Sequence, residues 1–210
     1  MGRSQRNKRQ PTERDKQREQ TRARVYQAAI DVFRRDGVQQ ARIDDITSEA
    51  GVSRGSFYFH FPDGKDDVLL QMLQESQSNI CSEIEALKDE APLGDVLGTI
   101  AENMAKQWQS DPSLLAELGA VAVRASAGGI GQSQQLQELH PLSVALAQRF
   151  EFSVSSGELS DLIPTELLAQ MYLINLFGAA IAWCSNPELD LNMLLNSVSA
   201  FFMRAAKADS

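Results

Sequence analysis

Arg54, Ser56, Tyr58 and His60 place a guanidinium, two hydroxyls and an imidazole within the run RGSFYFH, around one apolar anchor, Phe57. Such groups donate hydrogen bonds to anionic oxygens and to the acceptor edges of bases, which is the chemistry of recognition. No nucleophile–base pair, shared carboxylate motif, phosphate-binding glycine loop or metal-ligand spacing accompanies them, which argues against an enzyme. The elements that must hold them are legible just upstream. Ile43, Ile46 and Ala50 recur at intervals of three and four, one face of a short helix. Gly51 can take the left-handed conformation that ends it, and Val52 can plug the angle to the next helix. Ser53 stands where an N-cap belongs, its hydroxyl available to the backbone N–H groups of a helix starting at Arg54. Two short helices about a tight turn make a helix-turn-helix, whose main use is to lay the second helix in the major groove of DNA. The same angle also occurs in proteins that never meet nucleic acid.

The flanks extend the pattern. Val25, Ala28, Ala29, Val32 and Phe33 repeat at helical spacing, and Gly37 closes that helix after Arg34, Arg35 and Asp36. Downstream, FPDGK forms a Pro/Gly turn, and Lys65 opens a helix whose apolar face begins Val68, Leu69, Met72, Leu73. With AAIDVFRRDGV, IDDITSEAGVSRGSFYFHF and FPDGKDDVLL in this order and spacing, roughly residues 20–73 of the chain resemble the TetR (tetracycline-repressor-like) family of transcriptional regulators.

That resemblance implies a role for each residue of the head. Arg54 and Ser56 would face base edges, Ser53, the cap of their helix, would belong to the same DNA-binding surface, and Gly55 would let the backbone come close. Arginine can hold guanine O6 and N7 with two bonds, which makes Arg54 the first choice for direct readout. Tyr58, His60 and Lys65 match positions that hold the phosphate backbone. Phe59 would make apolar contact, as with a thymine methyl, while Phe57 and Phe61 belong to the core. Two departures stand out. The family usually has Ser or Thr at one or both of the positions of Ala41 and Arg42, and Arg42 could replace the phosphate contact but not the helix cap. The turn FPDGK is one residue longer than the commonest family form.

Composition sets the outer bounds. The chain has 210 residues, 43% of them hydrophobic, which fits a soluble globular protein built either as one compact body or as a small head on a larger body. Cys81 and Cys184 are far apart and His60 and His140 share no ligand spacing, so a disulfide framework, a metal centre and a cofactor are not expected. The longest mostly apolar run, Met171 to Trp183, reads as too short to span a bilayer, and the charged N-terminus lacks the apolar core of a secretion signal. A cytoplasmic protein without a membrane partner is expected. The net charge of −8 is unevenly placed: residues 1–70 hold 14 Lys/Arg against 11 Asp/Glu, and the remainder 6 against 17. The basic end can neutralise phosphates while the acidic body is repelled by them. Residues 1–17 read as a basic, solvated arm that can order on DNA, 18–64 as the helix-turn-helix domain, and 65–210 as an effector-binding and dimerisation body.

Beyond residue 64 every segment reads as helix, and the fold class is all-α. Helices are expected from Lys65 to about Lys88, Asp95 to Ser110, Pro112 to Ala127 before Gly128-Gly129, Gln134 or Pro141 to Val154, Thr165 to Cys184, and Glu188 to Lys207. The last two are apolar over more than one face, either filling the core or meeting a second copy. The resemblance implies the latter, a two-fold dimer presenting two recognition helices to a pseudo-palindromic operator. Met171, Ile174, Gly178 and Ile181 would contribute from the first helix, and Leu194, Val198, Phe201 and Phe202 from the second. Met72, Met104, Trp108, Phe150, Tyr172 and Phe177 could wall an apolar effector pocket or simply fill the core. Arg124, isolated in an apolar helix, needs an anion or a neighbouring carboxylate. The leading reading is a homodimeric repressor released from double-stranded DNA by a small apolar or amphiphilic effector. The alternative is an architectural or cell-cycle factor that uses the same head without one.

Overall fold

The computed structural model describes residues 12–87, 91–127 and 141–207. Residues 1–11 of the expected arm, the Gly128-Gly129 link, the Gln134 start and His140 lie outside them. Among the described residues the chain is all-α, with one isolated β-bridge between Leu159 and Lys207. It divides into two compact units, Met1–Val68 and Leu69–Ser210.

In the first unit, α1 (Glu13–Asp36) begins inside the stretch read as an arm. The Thr12 hydroxyl accepts from the Asp15 N–H at 3.2 Å, and the Asp15 carboxylate accepts from the Thr12 N–H at 2.9 Å. This reciprocal box satisfies backbone donors that a helix start leaves open, so residues 13–17 are helix although they have nothing apolar to bury. Gly37, at φ 78°, ends the helix, its N–H reaching the Phe33 carbonyl. Then come α2 (Ile43–Ala50), α3 (Arg54–His60) and the first turn of α4 (Lys65–Glu85). Val25, Ala29, Val32, Ile46, Phe57 and Phe61 have no exposed surface. Full burial of each large apolar side chain is worth about 1.5–3 kcal/mol, and this holds together helices too short to be stable alone.

The second unit packs the rest of α4 with α5 (Leu93–Trp108), α6 (Pro112–Ala127), α7 (Pro141–Ser155), α8 (Thr165–Cys184) and α9 (Leu191–Ala206). Helix α8 is central, packing against α6, α7 and α9, while α9 also lies along α5. Two helix starts differ from the sequence reading for a visible reason. Helix α5 begins at Leu93 because the Glu158 carboxylate accepts from the Leu93 N–H at 3.3 Å and is itself held by Ser153 Oγ at 3.0 Å. Helix α9 begins at Leu191, not Glu188, because Asp190 accepts from the Met193 N–H at 2.9 Å and caps it. Helix α8 is also longer than the apolar run read from the sequence. Helix α8 has 20 residues and a mean hydropathy of 1.6, long and apolar enough by length and composition to cross a bilayer. Its Leu168, Ala169, Tyr172, Leu176, Ala180 and Trp183 are instead buried within this unit.

Candidate nucleic-acid interface

The turn between α2 and α3 is built from three local interactions. Gly51 sits at φ 64°, ψ 42°, left-handed, with its N–H shared between the Ser48 and Thr47 carbonyls. Val52 N–H reaches the Thr47 carbonyl at 3.0 Å, and Ser53 Oγ accepts from the Ser56 N–H at 3.2 Å to start α3. Helix α2, by contrast, has Arg42 at its N-cap, with no side-chain hydrogen bond to the helix start. Phe57 then points inward with no exposed surface, its ring 5.8 Å from Phe61 and edge-on to Tyr58 at 5.3 Å.

With Phe57 as anchor, the helical period decides which expected contacts face outward. Arg54, Gly55, Tyr58 and Phe59 are exposed, Ser56 is half-buried, and Arg42 is exposed at the start of α2. His60 is not available in this way. Lying three residues from Phe57, it faces inward with 8% of its surface exposed, so it has little area to offer a phosphate. Burial, and then the charges of Arg18 and Arg22, push its imidazole below the ordinary value and favour the neutral form. Lys65 is also turned inward. Its Nζ donates to the carbonyls of Val38 at 2.6 Å and Ala41 at 3.2 Å, and lies 3.4 Å from that of Gln39. An ammonium has three protons, and these carbonyls account for them, so Lys65 ties the loop after α1 to α4 instead of facing a phosphate.

Two residues that the sequence reading passed over join this surface. Arg18 and Arg22, one helical turn apart on α1, hold their guanidiniums 4.9 Å above the Phe59 and Phe61 rings respectively. Arg22 Nη1 also donates to the His60 carbonyl at 3.4 Å. Their four-residue spacing was the available signal, but spacing on α1 does not say that α3 lies beside it. Arg54 has partners as well: its Nη1 is 2.9 Å from Asp44 Oδ1 on α2. The Tyr58 hydroxyl, and then the Asp44 charge, push its pKa above the ordinary arginine value. The result is an exposed surface of cations and aromatic rings with a rigid helix at its centre.

Residues 25–72 match the family model described as bacterial regulatory proteins, tetR family. The transcriptional regulator SrpR of Pseudomonas putida is 46% identical over 59 residues, 28% of this chain and 27% of SrpR. The match thus spans about a quarter of that relative's length. The fatty acid metabolism regulator protein of Bacillus subtilis (strain 168) is 24% identical over 181 residues, 83% of this chain and 89% of its own. The head is that of the TetR family. The fold agrees along nearly its whole length with the TetR-family repressor FadR of Thermus thermophilus, solved with lauroyl-CoA. The TM-score is 0.73 at 23% identity, covering 90% of this chain and 96% of that one.

The second unit distributes its candidate residues unevenly. Met72, Trp108, Phe150 and Tyr172 are buried, Met104 and Phe177 half-buried, and Arg124 is exposed on α6 rather than enclosed in an apolar interior. Phe150 stacks on Phe202 at 5.7 Å, and Tyr172 meets Phe202 edge-on at 5.1 Å while its hydroxyl lies 2.8 Å from Ser199 Oγ. An apolar groove of about 210 Å³ is lined by Leu162, Ile163, Leu168, Met171, Val198 and Phe201, among others, and by none of the expected effector-pocket residues. Of the residues assigned to a dimer face, Met171, Ile174, Gly178 and Phe201 are exposed, and Ile181, Leu194 and Val198 half-buried. Phe202 is the exception, with 9% of its surface exposed, because α9 turns it toward Phe150 and Tyr172.

Proposed function

We propose that the chain is a homodimeric, cytoplasmic transcriptional regulator that reads a pseudo-palindromic duplex through α3 and acts as a repressor released by a small amphiphile. One observation carries the DNA reading. Arg54, Tyr58 and Phe59, with 59%, 42% and 60% of their surfaces exposed, project from a helix-turn-helix that matches the TetR family. The excess of bases near the N-terminus supports the same orientation toward phosphates. The dimer is supported by an apolar face on α8 and α9, where Ile174 and Phe201 are 69% and 75% exposed. For the effector, the FadR repressor of Thermus thermophilus holds lauroyl-CoA and the Bacillus subtilis relative is a regulator of fatty acid metabolism. A fatty acyl-CoA, with an apolar chain and a polar head, is therefore the first compound to try. The effector-free alternative is favoured by one finding, the packing of Phe150 and Tyr172 into core.

The test is fluorescence anisotropy with the duplex upstream of the chain's own gene. Affinity should fall at least tenfold between about 50 and 200 mM salt, because several phosphates are neutralised on binding. A flat salt dependence on every duplex tried would refute the DNA reading. Lauroyl-CoA should then weaken operator binding, and a ~100-fold effect requires about 2.7 kcal/mol of coupling, with DNA weakening lauroyl-CoA binding by the same factor.

A further inference from the structure

Asp44 occupies an unexpected place for an acid. It lies on the outward side of α2, 49% exposed, with Oδ1 2.9 Å from Arg54 Nη1 and Oδ2 3.8 Å from Arg42 Nη2. One carboxylate thus stands between the two arginines on the expected DNA-facing surface. Stability is a poor explanation for it, because ion pairs this exposed contribute little to folding. The helix dipole favours an acid in the first turn of α2, but Asp45 meets that need equally, and Asp44 is the one that reaches Arg54. A carboxylate also repels the phosphates that this surface is proposed to meet. What the pair does provide is geometry. Arginine is a long side chain that loses considerable rotamer freedom when fixed, and its guanidinium is a planar fork with two usable edges. With Nη1 held by Asp44, and with the Tyr58 hydroxyl as a second partner, the guanidinium is fixed in place to donate to guanine O6 and N7.

We infer that Asp44 is the positioning residue for base readout, holding Arg54 in the orientation that selects guanine and tying Arg42 to the same cluster. The inference rests on the DNA reading above. It makes the acid a determinant of specificity at one base pair, although Asp44 itself weakens the general attraction to DNA.

The experiment is selection from a randomised duplex library with the full-length protein, as wild type, Arg54→Ala, Asp44→Asn, Asp44→Ala and the double variant Asp44→Ala/Arg54→Ala. Wild type should enrich a guanine in each half-site, and Arg54→Ala should lose that preference by roughly tenfold. Asp44→Ala should weaken the same guanine preference about fivefold, add nothing in the Arg54→Ala background, and bind unselected duplex as tightly as wild type or more tightly. Asp44→Asn, which keeps an acceptor oxygen but no charge, should fall between. An unchanged guanine preference in Asp44→Ala would overturn the inference. So would a loss of affinity shared equally by all bases and positions, which would mark a role in folding alone. Failure of the wild type to enrich any sequence would instead overturn the DNA reading itself, a result distinct from a consensus that survives Asp44→Ala.

Discussion

Lys65 and His60 show how single side chains choose between the inside of the head and its surface. Lys65 Nζ is placed on the Val38 and Ala41 carbonyls at 2.6 and 3.2 Å, the first of them a short, charge-assisted bond. Lys65→Met should therefore destabilise the protein by about 1–3 kcal/mol, since the carbonyls lose their donor. Urea unfolding measures this. The slope of log affinity for DNA against log salt should stay as in wild type, whereas loss of a phosphate contact would reduce it by about 0.9. For His60 the prediction is a pH dependence. Its folded pKa is lowered from 6.5 by burial and by Arg18 and Arg22, so below pH 6.5 the unfolded chain binds more protons than the folded one. Its contribution is complete above that value and is lost as the pH falls from there toward the lower, folded pKa. Thermal unfolding at stepwise lower pH should show stability decreasing across this window, with a shallower slope in His60→Phe.

The crossing of α6 and α8 has a narrow margin at Gly119. A Cβ on Gly119 would lie 2.6 Å from Ile181 Cδ1 and 3.2 Å from Phe177 Cζ, so a glycine lets these helices approach as closely as they do. Gly in a helix costs about 1 kcal/mol relative to a good helix former, and Gly119→Leu recovers that. Overpacking costs about 1–3 kcal/mol, more for a side chain this large in a gap this narrow. The substitution should thus lower the unfolding midpoint, and a midpoint above that of wild type would show that Ile181 swings aside freely. The same contact explains why Phe177 and Ile181 are half-buried although they were assigned to a pocket and to a dimer face. At α3 the margin is different in kind: its 7 residues persist because Ser53 caps them and Phe57 is wholly buried.

At the scale of the whole molecule, the exposed face of α8 and α9 tests the proposed assembly. Ile174 and Phe201, with Met193 at 64% exposure, form apolar surface that a monomer leaves in water. Ile174→Glu should convert a dimer to a monomer in sedimentation velocity and reduce affinity for a two-half-site duplex by tenfold or more, while binding to a single half-site is unaffected. A wild-type chain that sediments as a monomer at micromolar concentration would remove the basis for this prediction.

The helix-turn-helix was readable from the amino acids because its signals are local. Gly51 ends α2 through its own φ, Ser53 caps α3 across three residues, and the interval between Ile46 and Ala50 marks the buried face of α2. The all-α class and the span Thr165–Cys184 follow from the same short-range rules. Other features depended on partners distant in the chain. Glu158 starts α5 from 65 residues away, Lys65 finds carbonyls 24 to 27 residues upstream, and Arg18 reaches Phe59 across the head. Phe201 and Phe202 show the limit most directly, since one is 75% exposed and its neighbour 9%. Consecutive helical residues point about 100° apart. A wide apolar stripe fixes that some of it is buried, and only the neighbouring helices decide which part, here by placing Phe150 and Tyr172 opposite Phe202.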